Sequence, residues 1–276
     1  KNIIAEFSQK YGNVKHIQYD AISEDAALNA FEASYGVRAL ADYDFSKAEV
    51  IVSFGADFLG DWQGGGFDSD YAKGRIPSHG KMSRHIQFES NMSLTGANAD
   101  KRVPLTPTQQ KVALAKFYGF LNGKSVGGEL PAKIEEAVKN AAAQVARAGK
   151  NAVVVTGIND IDAQKVVLSI NKSIGSVVMD ADAPRMTRQG NAKQVAALVE
   201  DMKAGKVGAL IMSGVNPLYT LPNASEFEAG LASVDLSVAF SLKEDETSTK
   251  AGYIAAEPHY LESWGDVEMK KGHYSL

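Results

Sequence analysis

Histidine and carboxylate are the side chains with which this sequence could hold a metal or move a proton. The histidines are His16, His79, His85, His259 and His273. No two of them make the i, i+4 pair of a helical metal site, and none lies in an HExxH pattern. His16 falls in an alternating strand-like stretch and reads as structural. The chain has no cysteine, which removes disulfides, thiolate nucleophiles and cysteine-held zinc or iron–sulfur clusters from it. Acids are numerous, and Glu244, Asp245 and Glu246 are consecutive. Such a run is usually a solvated face or the start of a helix, where acids favour the dipole. No pair of acids stands out for acid–base catalysis. GxxxxGK[ST] and GxGxxG are absent. The run Gly64-Gly65-Gly66 has a phosphate-friendly composition, and it reads more simply as loop flexibility between Trp62 and Asp70. Catalytic and metal-binding residues are therefore not assigned.

Two segments resemble each other. In one, the apolar run Val50–Phe54 meets Gly55, a spacer, Asp57 and an apolar pair; in the other, Ala209–Met212 leads through Ser213 to Gly214, a spacer, Asn216, Pro217 and Leu218. A glycine at the carboxyl end of a parallel strand lets a ligand or a second backbone approach closely. That end is where open α/β sheets usually bind ligands. Equally, both glycines could serve only to make tight turns. Asp180, after an expected strand at 177–179, could bind a ribose or guanine edge by charge-assisted hydrogen bonds, or simply cap a turn.

The elements that must position these residues follow from periodicity and punctuation. Helices are expected at 3–11, 24–35 (with Ser23 as cap), 108–121, 131–148, 161–174, 192–202 and 224–231. Strands are expected at 14–19, 50–54, 85–88, 152–155, 177–179, 209–212 and 236–240. Alternation of strands and helices predicts an α/β fold with mostly parallel sheets covered on both faces. The glycine-rich stretch 122–130 is the expected boundary between a first domain at 1–125 and a second at 126–276. The 276 residues suffice for two ordinary domains. A net charge of −4 without a basic run argues against a nucleic-acid surface. No apolar stretch approaches the roughly 18 residues of a membrane span, so no direct membrane insertion is expected. Lys1 is not a Met and opens straight into helix-like sequence without a signal-peptide pattern, which reads as a segment of a longer chain.

Taken together, several segments resemble the molybdopterin oxidoreductases. Gly214-Val215-Asn216-Pro217-Leu218 is similar to their G-x-N-P turn. Glu246-Thr247, then Ala251-Gly252 and the run to Glu262-Ser263-Trp264-Gly265-Asp266, resembles their E-T-A…A-D-x-x-L-P…E…G-T stretch. Val153–Gly157 with Ile170–Gly175, and Ser93–Asp100, resemble further strand, helix and T…A-D segments in the same order. Phe54–Trp62, Phe88–Gly96 and His259–Asp266 look most like the large iron–sulfur subunit of alternative complex III, a bacterial quinol-oxidising complex.

The resemblance implies two Rossmann-like three-layer αβα domains, like the second and third domains of that family. It implies a pterin cleft built from Gly55, Asp57, Gly214, Asn216 and Asp180. It also implies other subunits of a membrane-bound respiratory complex as partners, at the periplasmic face of the inner membrane, with iron–sulfur clusters elsewhere in the full-length protein. The departures are specific. No residue matches the family's metal ligand, the D-P-R expected near Phe88-Glu89-Ser90 is absent, and V-L-P reads Ala255-Ala256-Glu257-Pro258. A vestigial cleft with no bound cofactor in this segment is therefore expected. Two alternatives stand beside it: a true oxidoreductase using molybdopterin guanine dinucleotide, with its ligand segments outside this sequence, and an unrelated small-molecule-binding α/β protein.

Overall fold

The structure, a computed structural model, describes residues 2–77 and 80–276. Lys1 and His79 lie outside the described residues. The chain divides into two compact units. The larger holds residues 24–188 and 268–274, and the smaller holds 1–23, 189–267 and 275–276.

The larger unit is organised on a four-stranded parallel sheet. Its order is Lys101–Pro104, Arg84–Glu89, Val50–Phe54, Ala152–Thr156. Val50 pairs with Arg84 on one side and with Ala152 on the other. All five residues of Val50–Phe54 are buried, as an apolar run in a parallel strand requires. Val52 and Phe54 face a core shared with Phe117 of the helix Pro107–Leu121 and Val138 and Val145 of the helix Ala132–Ala148. Ile51, Val153 and Val155 face the opposite way, into an aromatic cluster of Phe31, Tyr43, Phe45, Phe58, Trp62, Phe67 and Tyr71. Helix ends follow local chemistry. Thr106 and Gln109 form a reciprocal cap ahead of Pro107, and Asp160 accepts from the amides of Asp162 and Ala163 to start Ile161–Ser173. The cap of Asp25–Tyr35 is Glu24, one residue beyond the expected Ser23.

A second sheet in this unit is built on antiparallel pairs. Leu40–Tyr43 runs antiparallel to Met179–Arg185, which pairs at Arg185 with Lys270 of Val267–Lys270; His273–Ser275 is the fourth strand. Asp180 is thus not at the end of a parallel strand. It lies inside Met179–Arg185, opposite Asp42.

The smaller unit carries a parallel sheet in the order Ala209–Ser213, Leu236–Ser241, Tyr253–Ala256. Val199 and Met202 of Ala192–Lys203 and Phe227 and Leu231 of Ala224–Leu231 pack on Met212 and Ala239. Residues 14–19 alternate like a strand but join no sheet. Gln18 instead gives its carbonyl to the amide of Asn191, and the Tyr19 hydroxyl donates to Thr220 at 2.6 Å.

The expected α/β fold with mostly parallel sheets is present, but the division between the units does not fall near residue 125. Residues 122–130 connect two helices that pack on one core, and Ala152–Thr156 extends the sheet begun by Val50–Phe54. Glycine composition there marks a tight connection within one unit.

Candidate functional site

The two glycine turns occur where the sequence places them, each at the carboxyl end of a parallel strand, but in different units. Gly55 has φ 73° and Gly214 has φ 64°, conformations that glycine adopts without the strain a Cβ would add. Their surroundings differ.

Around Gly55 the space is filled. A Cβ on Gly55 would stand 2.7 Å from Gln110 Oε1, and the Gly55 amide donates to the carbonyl of Phe88 at 2.8 Å. Asp57 is used internally. Its Oδ1 accepts from the Thr95 amide at 2.9 Å and the Thr95 hydroxyl at 2.7 Å, and the Thr95 oxygen in turn accepts from the amide of Leu59. Thr95 is fully buried. The carboxylate therefore joins the turn after one strand to the short helix Leu94–Ala97 after its neighbour.

Gly214 is open, with nothing within 4 Å of a Cβ built on it. The residues after it join a segment thirty positions away. Asn216 Nδ2 donates to Glu246 Oε2 at 2.7 Å, and Asn216 Oδ1 accepts from the Thr247 hydroxyl at 2.7 Å. The Thr247 oxygen accepts from the amide of Leu218 at 2.9 Å. Asp245 Oδ1 accepts from the amides of Thr247 and Ser248. The G-x-N-P turn and the Glu-Thr pair thus form one polar lock. It borders a cleft of about 580 Å³ lined by Asn216, Tyr219, Lys243, Glu244, Asp245, Glu246 and Thr249. Burial raises the Asp245 carboxyl, but hydrogen bonds from Ser248 and Thr247 outweigh it and hold the group below its ordinary range. The hydrogen bond from Asn216 does the same for Glu246. Both therefore carry charge near neutral pH.

Asp180 is exposed and accepts from the amides of Asp182 and Ala183 at 2.9 and 3.0 Å, so its carboxylate is engaged by the backbone of its own strand. Gly55, Asp57 and Asp180 belong to the larger unit, and Gly214 and Asn216 to the smaller.

A cofactor with a diphosphate does not fit the residues present. Beside Gly214 its phosphates would face three carboxylates and one ammonium group, an unfavourable balance of charge. Beside Gly55 they would meet Gln110 and the Asp57 carboxylate. Among the described residues no group of three or more His, Asp or Glu side chains is placed to hold a metal ion.

One polar array was less evident in the sequence. The strand Arg84–Glu89 turns His85, Gln87 and Glu89 to one face, all buried. The Tyr71 hydroxyl lies 3.1 Å from His85 Nδ1, and His85 Nε2 lies 3.2 Å from Gln87 Oε1. Gln87 Nε2 donates to Glu89 Oε2 and to the carbonyl of Ala56. That orientation leaves the Gln87 oxygen facing His85, so the proton of a neutral imidazole sits on Nε2. Burial pushes His85 down to about 4. Glu89 is held by Arg102 Nε at 2.6 Å and the Ser93 hydroxyl at 2.6 Å. The signal was the spacing of two within R-H-I-Q-F-E, which an apolar reading of 85–88 passes over.

No family model matches the chain. It is 24% identical over 267 residues to the menaquinone reductase, molybdopterin-binding-like subunit, of Nitratidesulfovibrio vulgaris. That match covers 82% of this chain and 38% of the relative, so the chain spans well under half the relative's length. Among solved structures it is similar to acetylene hydratase from Pelobacter acetylenicus, with a TM-score of 0.55 and 14% identity, over 88% of this chain and 45% of that one. A formyltransferase/hydrolase complex from Methylorubrum extorquens aligns with a TM-score of 0.46 and 13% identity, over 84% of this chain and 68% of that one. The likeness to acetylene hydratase is one of fold, an α/β arrangement of layered helices and parallel sheets.

Proposed function

We propose that this chain is the molybdopterin-oxidoreductase-like part of a subunit of a respiratory quinol-oxidising complex, and that it serves as a structural and docking module without a bound pterin. The observation that carries this reading is the state of the two turns. The polar groups that a cofactor would engage are bonded to each other: Asp57 to Thr95, and Asn216 to Glu246 and Thr247. The acids beside the open turn oppose an anionic ligand.

The similarity to a molybdopterin-binding-like menaquinone reductase subunit supports the coarser part of this reading, an oxidoreductase-like subunit. In the same reading, electrons pass through iron–sulfur centres elsewhere in the full-length protein, on the periplasmic side of the inner membrane. The chain's own contribution is surface and rigidity. Among the described residues no helix is long and apolar enough to cross a membrane. The reading assigns membrane attachment to partner subunits.

The test is purification of the full-length protein from native membranes after gentle solubilisation. The proposal predicts co-elution with membrane subunits and with iron–sulfur absorbance, together with quinol oxidation. Recovery of the protein alone, free of redox centres and membrane subunits, would contradict it.

A further inference from the structure

Arg185 closes the strand Met179–Arg185, and its side chain is 11% exposed. Nη2 donates to the carbonyl of Gly65 at 2.7 Å, and the guanidinium lies 4.3 Å from the centre of the Phe67 ring. Its nearest carboxylate, Asp42, is 3.9 Å away at Nε, beyond hydrogen-bond reach, and the other Asp42 oxygen is paired with Lys270. Nη1 is buried and has no partner. A buried cationic donor without an acceptor is costly and rare.

A second orphan lies close by. Thr187 Oγ1 is also buried without a partner. Both side chains rest against the loop Gly64-Gly65-Gly66. A Cβ on Gly64 would be 3.7 Å from Thr187 Oγ1, and one on Gly66 would be 3.6 Å from Arg185 Nη2. All three glycines have positive φ, at 88°, 71° and 83°. Gln63, just before them, has φ 52° and is the one non-glycine residue with positive φ among the described residues. Such strain persists only where surroundings enforce it and clusters at ligand-holding segments. The loop runs through Phe67 into the helix Asp68–Arg75. Nearby acids are occupied or outward: Asp70 pairs with Lys73, Asp42 pairs with Lys270, and Asp68 is exposed.

We infer that Gly64–Gly66, Arg185 and Thr187 form a binding site for a small oxyanion, a phosphate or carboxylate group. Arg185 Nη1 and the Thr187 hydroxyl donate to its oxygens, and the bare glycine backbone admits it. The site uses none of the residues named at the two strand-end turns and does not rest on the respiratory reading.

Thermal unfolding of the full chain at constant ionic strength tests it, with sodium phosphate or sodium acetate exchanged for sodium chloride. The expected result is a saturable rise in Tm at low millimolar phosphate, acetate or both, as ligand linkage requires. The anion that acts identifies the group preferred. Arg185→Met should abolish the rise, and Thr187→Val should weaken the affinity at least threefold. A response in the wild type that is linear or no larger than that to chloride overturns the site, as does an undiminished response in Arg185→Met. If Arg185→Met does not fold, Thr187→Val decides: an unchanged affinity in that variant overturns the proposal.

Discussion

Asp57 and Asn216 occupy matching places after the two glycine turns and are bonded differently. Asp57 only accepts, from the amide and hydroxyl of Thr95, whereas Asn216 both donates to Glu246 and accepts from Thr247. An aspartate at 216 would set two carboxylates in contact. Asn216→Asp should therefore cost more stability at pH 7 than Asn216→Ala, whose loss is about 1–2 kcal/mol for the missing bonds; chemical denaturation of both variants measures the order. Thr247 is fully buried, so Thr247→Val, which strands Asn216 Oδ1, should cost about 1–3 kcal/mol by the same assay. His85 supplies a pH dependence. Burial holds it down to about 4 in the folded chain, against an ordinary 6.5. Between those values the unfolded chain binds more protons, so stability rises with pH. The contribution is complete above about pH 6.5 and is lost as pH falls towards 4, by roughly 3 kcal/mol at most. His85→Gln should flatten the stability profile across that window, and an unaltered slope would contradict the assignment. In the sequence, Asn216 was legible as a turn residue next to Pro217. Its bond to Glu246 was not, because thirty residues separate them and only the return of the chain after Leu236–Ser241 brings them together.

At the scale of elements, the strand–glycine unit was legible because parallel strands buried on both faces write themselves as unbroken apolar runs, as in Val50–Phe54. Whether such a turn is open is decided by what packs behind it. Gln110, on the helix Pro107–Leu121, closes the space at Gly55, and none of the described residues does so at Gly214. Gly214→Ala should cost only the backbone term, about 1–2 kcal/mol. Gly55→Ala also brings the Cβ to 2.7 Å from Oε1 at the flexible end of Gln110, so it should add only the small cost of moving that side chain off its hydrogen bond to Ser90. Part of that excess should return in Gly55→Ala/Gln110→Ala, and a double-mutant cycle of unfolding free energies reads the coupling. The stretch 14–19 shows the converse failure. Its alternation was genuine, but a strand needs a neighbour, and Gln18 and Tyr19 are tied instead to Asn191 and Thr220.

At the scale of the molecule, composition placed the division at 122–130, whereas the contacts place it near 23–24 and 188–189, with a short return at 268–274. Sheet pairing, which local composition does not encode, made the difference: Ala152–Thr156 belongs with Val50–Phe54. A fragment ending at residue 125 should therefore lack cooperative unfolding, because it loses that strand and the Ala132–Ala148 helix that shares the core; a sharp two-state transition in the fragment would contradict this. The central proposal is that this α/β chain holds no pterin at either of its two strand-end turns. It is tested most directly by expressing the full-length protein in a host that supplies molybdenum cofactor, then measuring molybdenum and tungsten by mass spectrometry and pterin by fluorescence of the oxidised extract. The prediction is metal and pterin far below one equivalent per chain. One equivalent of each would contradict it.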